Sequence, residues 1–127
     1  MTIDAPRCDV LLVEDDLSLN ELMTSYLRRG GLDVCTAHSG SSALRLLSKF
    51  TPRLAVLDFQ LPDQTGAQLA QKLREALPKL PIIIMSGALG DLEQKAFEKI
   101  GVKAFVNKPV PLRALLRACT GLLEKGG

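Results

Sequence analysis

The sequence predicts a doubly wound α/β domain, a parallel sheet with helices on both faces. Three observations predict it. Short, wholly apolar runs alternate with segments whose apolar residues recur at three-and-four spacing. The alternation repeats five times in strict order. Polar residues able to do chemistry follow four of the five apolar runs. A short continuous apolar run reads as a strand buried on both faces, and three-and-four spacing as an amphipathic helix. Strict alternation then implies right-handed crossovers between parallel strands.

Val10–Val13 is the first strand. The helix over Asp16–Arg29 turns Leu19, Leu22, Met23, Tyr26 and Leu27 inward, and Gly30 and Gly31 end it. Leu32–Ala37 reads as a strand and Ser41–Phe50 as a helix with Ala43, Leu46, Leu47 and Phe50 inward; Pro52 breaks the chain there. Leu54–Leu57 is the third strand. Gly66–Leu77 is a helix with Leu69, Ala70, Leu73 and Leu77 on one side, stopped by Pro78. Pro81–Met85 is a strand, and Leu89–Ile100 a helix with Leu92, Ala96 and Ile100 inward. Ala104–Val106 is the last strand. Pro111–Leu123 is the last helix, with Leu112, Leu115, Leu116, Cys119 and Leu123 inward and Pro111 tolerated at its first turn.

The 127 residues make one domain, 1–127, with its core over about 8–124. A hydrophobic fraction of 46% is enough for a real core and excludes disorder. A net charge of +2, without a dense basic cluster, gives no reason to expect direct nucleic-acid binding. No apolar run approaches the roughly 18 residues of a membrane span. Met1–Pro6 lacks the apolar core of a signal peptide, and Glu124–Gly127 reads as a chain end or the start of a linker. The expected location is cytoplasmic. Cys8, Cys35 and Cys119 are dispersed and share no metal-ligand spacing with the lone His38, so reduced, buried thiols are expected.

In a parallel sheet every strand ends on the same edge, and ligands bind there. Glu14-Asp15-Asp16 follow the first strand, Asp58 the third, Ser86-Gly87-Ala88 the fourth and Asn107-Lys108-Pro109 the fifth. Crowded acids raise a pKa or recruit a cation, and oxygen-only ligands with room for water suit Mg²⁺. Lys108 adds a point charge for phosphate oxygens, Ser86 a hydroxyl, and Gly87 a backbone open to close approach. Together they describe phosphoryl transfer onto an aspartate, Asp58. Acids after a strand also cap helices, a role that suits Asp16, and a lysine before proline can be plain surface. The joint pattern outweighs these readings.

At these residues the sequence resembles the receiver domain of two-component response regulators, from about Val10 to Leu123. The motifs are Leu11-Leu12-Val13-Glu14-Asp15-Asp16, Leu57-Asp58-Phe59-Gln60-Leu61-Pro62 with Gly66, Ile84-Met85-Ser86-Gly87, and Phe105-Val106-Asn107-Lys108-Pro109. The resemblance implies a flavodoxin-like sheet in order 2-1-3-4-5 with five helices. It implies that Asp58 is the phosphoacceptor, and that Asp15 binds Mg²⁺ directly and Glu14 through water. The Gln60 backbone carbonyl completes the metal site. Ser86 and Lys108 hold the phosphoryl group, Phe105 is the switch aromatic, and the Lys108–Pro109 bond is cis. Gln60 stands at a variable position whose side chain tunes phosphoryl lifetime. Thr65, Val110 and Pro111 depart from common family residues, the last two at the start of the final helix.

The implied partners are a sensor histidine kinase or histidine phosphotransfer protein, and a downstream effector protein or domain. A phosphorylation-dependent homodimer is compatible with both. The implied output is the surface of the fourth helix, fifth strand and fifth helix. Such a domain is not an enzyme in the ordinary sense, since it catalyses only its own phosphorylation and dephosphorylation. Two alternatives stand beside it. An aspartate-nucleophile phosphatase of the haloacid dehalogenase type needs a second acid where Gln60 stands. A receiver-like interaction module that never takes phosphate would not need the acids, Ser86 and Lys108.

Overall fold

The computed structural model describes residues 7–87 and 90–125, with side chains left aside at 7 and 91–93. The chain runs β1 (Arg7–Val13), α1 (Leu17–Arg29), β2 (Val34–Ala37), α2 (Gly40–Leu46), β3 (Thr51–Asp58) and α3 (Gly66–Ala76). It continues through β4 (Ile82–Ser86), α4 (Asp91–Lys99), β5 (Val102–Asn107) and α5 (Leu112–Lys125). The strands are all parallel, in order β2-β1-β3-β4-β5, the doubly wound arrangement expected. The apolar strands divide two cores between them. Leu11, Val13, Ala55, Leu57, Ile82 and Ile84 face α2, α3 and α4. Val10, Leu12, Leu54, Val56, Ile83 and Met85 face α1 and α5. The period-two alternation of strand side chains makes this division. Among the described residues no helix is long and apolar enough to cross a membrane.

The structure corrects several expectations. Pro52 does not break the chain but lies buried within β3, opposite Cys8 of β1. β4 pairs with β3 only from Ala55 onward, so Pro52 sits where β3 has one neighbour, a position that tolerates a missing N–H. On α1, Leu22 is 55% exposed, and the inward stripe is Asn20, Met23, Thr24 and Leu27. Asn20 sets this rotation: its Nδ2 donates to the carbonyls of Glu14 (3.0 Å) and Ala37 (3.3 Å). Leu22, two residues on, is turned about 200° away. On α4, Ala96 is exposed and Phe97 takes the buried place at 2% exposure, one residue out of register with the expected stripe. The larger apolar surface determines which face turns inward. Leu89 and the side chain of Leu92 lie outside the described residues, as do Met1–Pro6 and the last two glycines.

α2 ends at Leu46 rather than Phe50, because Leu47, Ser48 and Lys49 close tighter i to i+3 bonds onto Leu44, Arg45 and Leu46. At α5 the Pro111 carbonyl accepts from the Leu115 N–H at 3.0 Å, which places proline just ahead of the helix. Two of the cysteines are not free thiols. Cys8 and Cys35 pair as a disulfide with Cα atoms 6.2 Å apart, within the usual span for such a bridge. Cys119 is free and buried, and burial pushes its thiol up to about 12, so it stays protonated and inert.

Candidate functional site

Parallel order brings the carboxyl ends of β1, β3, β4 and β5 to one edge. There an open crevice of about 650 Å³ is lined by Glu14, Asp15, Asp58, Gln60, Ser86, Gly87 and Lys108, among others. The residues picked out from the sequence therefore converge, with Phe105 set behind the crevice, partly buried against the α2–α3–α4 core.

Each side chain is held by its own backbone context. Glu14, 1% exposed, extends the buried run of β1. Its Oε1 accepts from Lys108 Nζ at 2.9 Å and its Oε2 from the Asp16 N–H at 3.1 Å. Asp58, 6% exposed, closes β3. Its Oδ2 accepts from Lys108 Nζ at 3.1 Å and its Oδ1 from the Gln60 N–H at 3.3 Å. The backbone N–H of Lys108 donates to the Ser86 carbonyl at 2.8 Å, locking the end of β5 to that of β4. The Lys108–Pro109 bond is cis, as the resemblance implied. Asp15 is exposed. Asp16 caps α1, accepting from the Leu19 N–H at 3.0 Å, so it serves the helix as foreseen.

One oxygen each from Glu14, Asp15 and Asp58 lies within 4.8 Å of the others. Three carboxylates so close, with one lysine to offset them, carry net negative charge and form an oxygen-only donor set. That set fits a hard divalent ion. Partial burial disfavours the Lys108 ammonium, but its hydrogen bonds to Glu14 and Asp58 outweigh this and hold its pKa above the ordinary lysine value. The stability it contributes is complete below the ordinary lysine range and disappears only as pH rises through the raised value.

The loop after β3 is built around close approach. Gly66 donates to the Phe59 carbonyl at 2.6 Å. A Cβ there would meet the Asp58 carbonyl oxygen at 2.7 Å, so only glycine brings α3 this near the acid. Thr65 caps α3 in a reciprocal capping box with Gln68, which accounts for that departure from the common residue. At Gly87 a Cβ would meet nothing within 4 Å among the described residues.

Two supporting residues escaped the sequence reading. Asn20 is 2% exposed and ties the ends of β1 and β2 behind Glu14, while its Oδ1 accepts from Thr24 and Thr36. A polar residue three before Met23 on the inward stripe was its available signal. Asp63 accepts from the N–H groups of Gly40 and Ser41, both at 2.9 Å, and so fastens the loop after β3 to the start of α2. Its partners lie 23 and 22 residues earlier in the chain, and no local pattern announces them.

The sequence profile of the response regulator receiver domain matches residues 10–120. The chain belongs to the response regulator receiver domain family. It is 31% identical over 124 residues to the probable transcriptional regulatory protein TcrX of Mycobacterium tuberculosis, covering 98% of this chain and 53% of that protein. It is 33% identical over 116 residues to the transcriptional regulatory protein GlrR of Escherichia coli, covering 91% of this chain and 26% of that one. The chain thus spans about half or less of these curated relatives. Among solved structures it resembles a CheY-like receiver domain protein from Methanospirillum hungatei, with TM-score 0.87, 25% identity and 97% of each chain covered. It also resembles the non-phosphorylated HemR receiver domain from Leptospira biflexa, with TM-score 0.83, 30% identity and coverage of 93% and 94%.

Proposed function

We propose that residues 1–127 form one receiver domain, core about 8–124, in which Asp58 accepts a phosphoryl group from a histidine kinase or histidine phosphotransfer protein. The observation that carries this reading is Lys108 Nζ placed between Glu14 (2.9 Å) and Asp58 (3.1 Å), with an Asp15 oxygen within 4.8 Å of both acids. A buried carboxylate, a fixed cation and further acids at one strand edge suit transfer to the carboxylate better than any structural use of the same groups.

In the transfer, an Asp58 carboxylate oxygen forms a bond to phosphorus as the donor's P–N bond breaks. The donor imidazole nitrogen keeps the bonding pair and takes a proton from water. Glu14, Asp15, Asp58 and the Gln60 carbonyl would hold Mg²⁺, which supplies neutralisation of the phosphoryl oxygens when bound. Lys108 would exchange its bond to the Asp58 oxygen for one to the phosphoryl group. The Ser86 hydroxyl, buried at the end of β4, would donate to another oxygen, and Gly87 leaves its backbone open to approach. Ser86 drawn toward the new charge frees space for Phe105 to turn inward, which remodels the surface of α4, β5 and α5. The relatives' names as transcriptional regulators support an effector domain or protein as the recipient.

Incubation with acetyl phosphate and Mg²⁺ should add one phosphoryl group, read by intact-mass spectrometry. Labelling undiminished in Asp58→Ala would refute the assignment.

A further inference from the structure

Phe97 is the one fully buried aromatic ring among the described residues. It sits between two others. Its centroid is 5.8 Å from that of Phe59, with planes at 73°, and 6.0 Å from that of Phe105, with planes at 67°. Both are edge-to-face contacts at ordinary aromatic spacing. Phe59 directly follows Asp58, and its N–H is fixed to the Met85 carbonyl at 2.9 Å. Phe105 lies on β5, in register with Ile84. One ring on α4 therefore joins the residue beside the proposed phosphoacceptor to the aromatic on the edge strand.

This packing limits what Phe105 can do. Close-packed interiors do not deform continuously. An inward turn of Phe105 runs into the Phe97 ring, which is backed by Phe59, just past the end of β3 and held by the Met85 carbonyl. Phe97 must therefore yield, and because it is the buried residue of α4's described part, α4 moves with it. We infer that Phe97 is a positioning residue that couples the end of β3 to the α4–β5 surface, so that Phe105 turns only when α4 shifts. The inference rests on the phosphoryl switch proposed above. It adds that the signal passes through a side chain of α4 as well as through the loop after β4.

The chain has four phenylalanines, Phe50, Phe59, Phe97 and Phe105. Labelling with para-fluorophenylalanine therefore gives a small set of fluorine resonances, each assignable by a single Phe→Leu substitution. Beryllofluoride, a phosphoryl analogue, adds its own bound-fluoride signal and so reports site occupancy independently. With Mg²⁺ and beryllofluoride, the Phe59, Phe97 and Phe105 resonances should shift together while that of Phe50 stays in place. In Phe97→Leu, which keeps an apolar side chain in the core but removes the ring in the path of Phe105, bound fluoride should persist and the Phe105 shift on adding beryllofluoride should be lost, because its resonance already stands at the shifted position beforehand. Bound fluoride with an unchanged Phe105 shift in Phe97→Leu would overturn the coupling role alone. Absence of bound fluoride in the unsubstituted protein would overturn the phosphoryl reading, and the coupling with it.

Discussion

Asp63 shows how much one carboxylate outside the crevice can contribute. Its two oxygens take the first N–H groups of α2, and those bonds hold its pKa at about 2, below the usual 3.8. The sign follows from the lowered value. The stabilisation is complete above the ordinary carboxylate pKa and is lost as pH falls from about 4 through 2. In acid titrations followed by circular dichroism, Asp63→Asn should flatten the stability slope in that window. The same substitution loosens the loop that carries Gln60 toward the acids. If the acids hold Mg²⁺ as proposed, its affinity by calorimetry should then fall by about tenfold, the lower end of the roughly 10–100-fold range for second-sphere effects on metal sites. Unchanged affinity would leave Asp63 as a helix cap and nothing more.

At the scale of elements, Arg74 is a bracket. From α3 its Nε donates to the Ile100 carbonyl at 2.8 Å, Nη2 to that of Gly101 at 3.2 Å and Nη1 to that of Pro78 at 2.7 Å. One guanidinium thus satisfies carbonyls at the ends of both α3 and α4, which helices leave unpaired. Gly101 has φ of 88°, and a Cβ there would meet Arg74 Nη2 at 2.8 Å. Gly31 has a similar φ of 94° with nothing within 4 Å. The pair separates backbone from contact. Gly31→Ala should cost only the left-handed conformation, about 1 kcal/mol in urea unfolding, and Gly101→Ala measurably more. Removing the guanidinium in Arg74→Ala should bring the Gly101→Ala penalty back to that of Gly31→Ala, a coupling that a double-mutant cycle reads directly.

For the whole molecule, the alternation of strands and helices was plain in the sequence, because a buried parallel strand such as Ile82–Met85 has no polar face to disguise it. The residues that line the crevice were equally plain, since parallel topology turns each strand's C-terminal end into an address. What was not legible depends on contacts remote in the chain. The bridge from Cys8 to Cys35 needs β1 and β2 to be neighbours. Leu22 faces out because Asn20 finds two carbonyls at the sheet edge. Phe97 displaces Ala96 from the interior by a one-residue rotation that periodicity cannot resolve. The order β2-β1-β3-β4-β5 also sets a gradient of protection. Amide exchange should be slowest in β1, β3 and β4, each paired on two sides, and fastest among the strands in β2 and β5, each paired on one. Uniform protection across the strands would contradict that order.

The edge position of β5 has a consequence for how such a domain can diversify. Asp58 lies on a strand wedged between two others, where almost any change of sequence disturbs its neighbours. Phe105 lies on a strand with one flank unclaimed by the sheet. The chemistry proposed for Asp58 is thus anchored where the architecture resists revision, and the readout proposed for Phe105 where it permits it. On that proposal, the surface of β5 is free to vary with the partner it serves while Asp58 on β3 stays as it is.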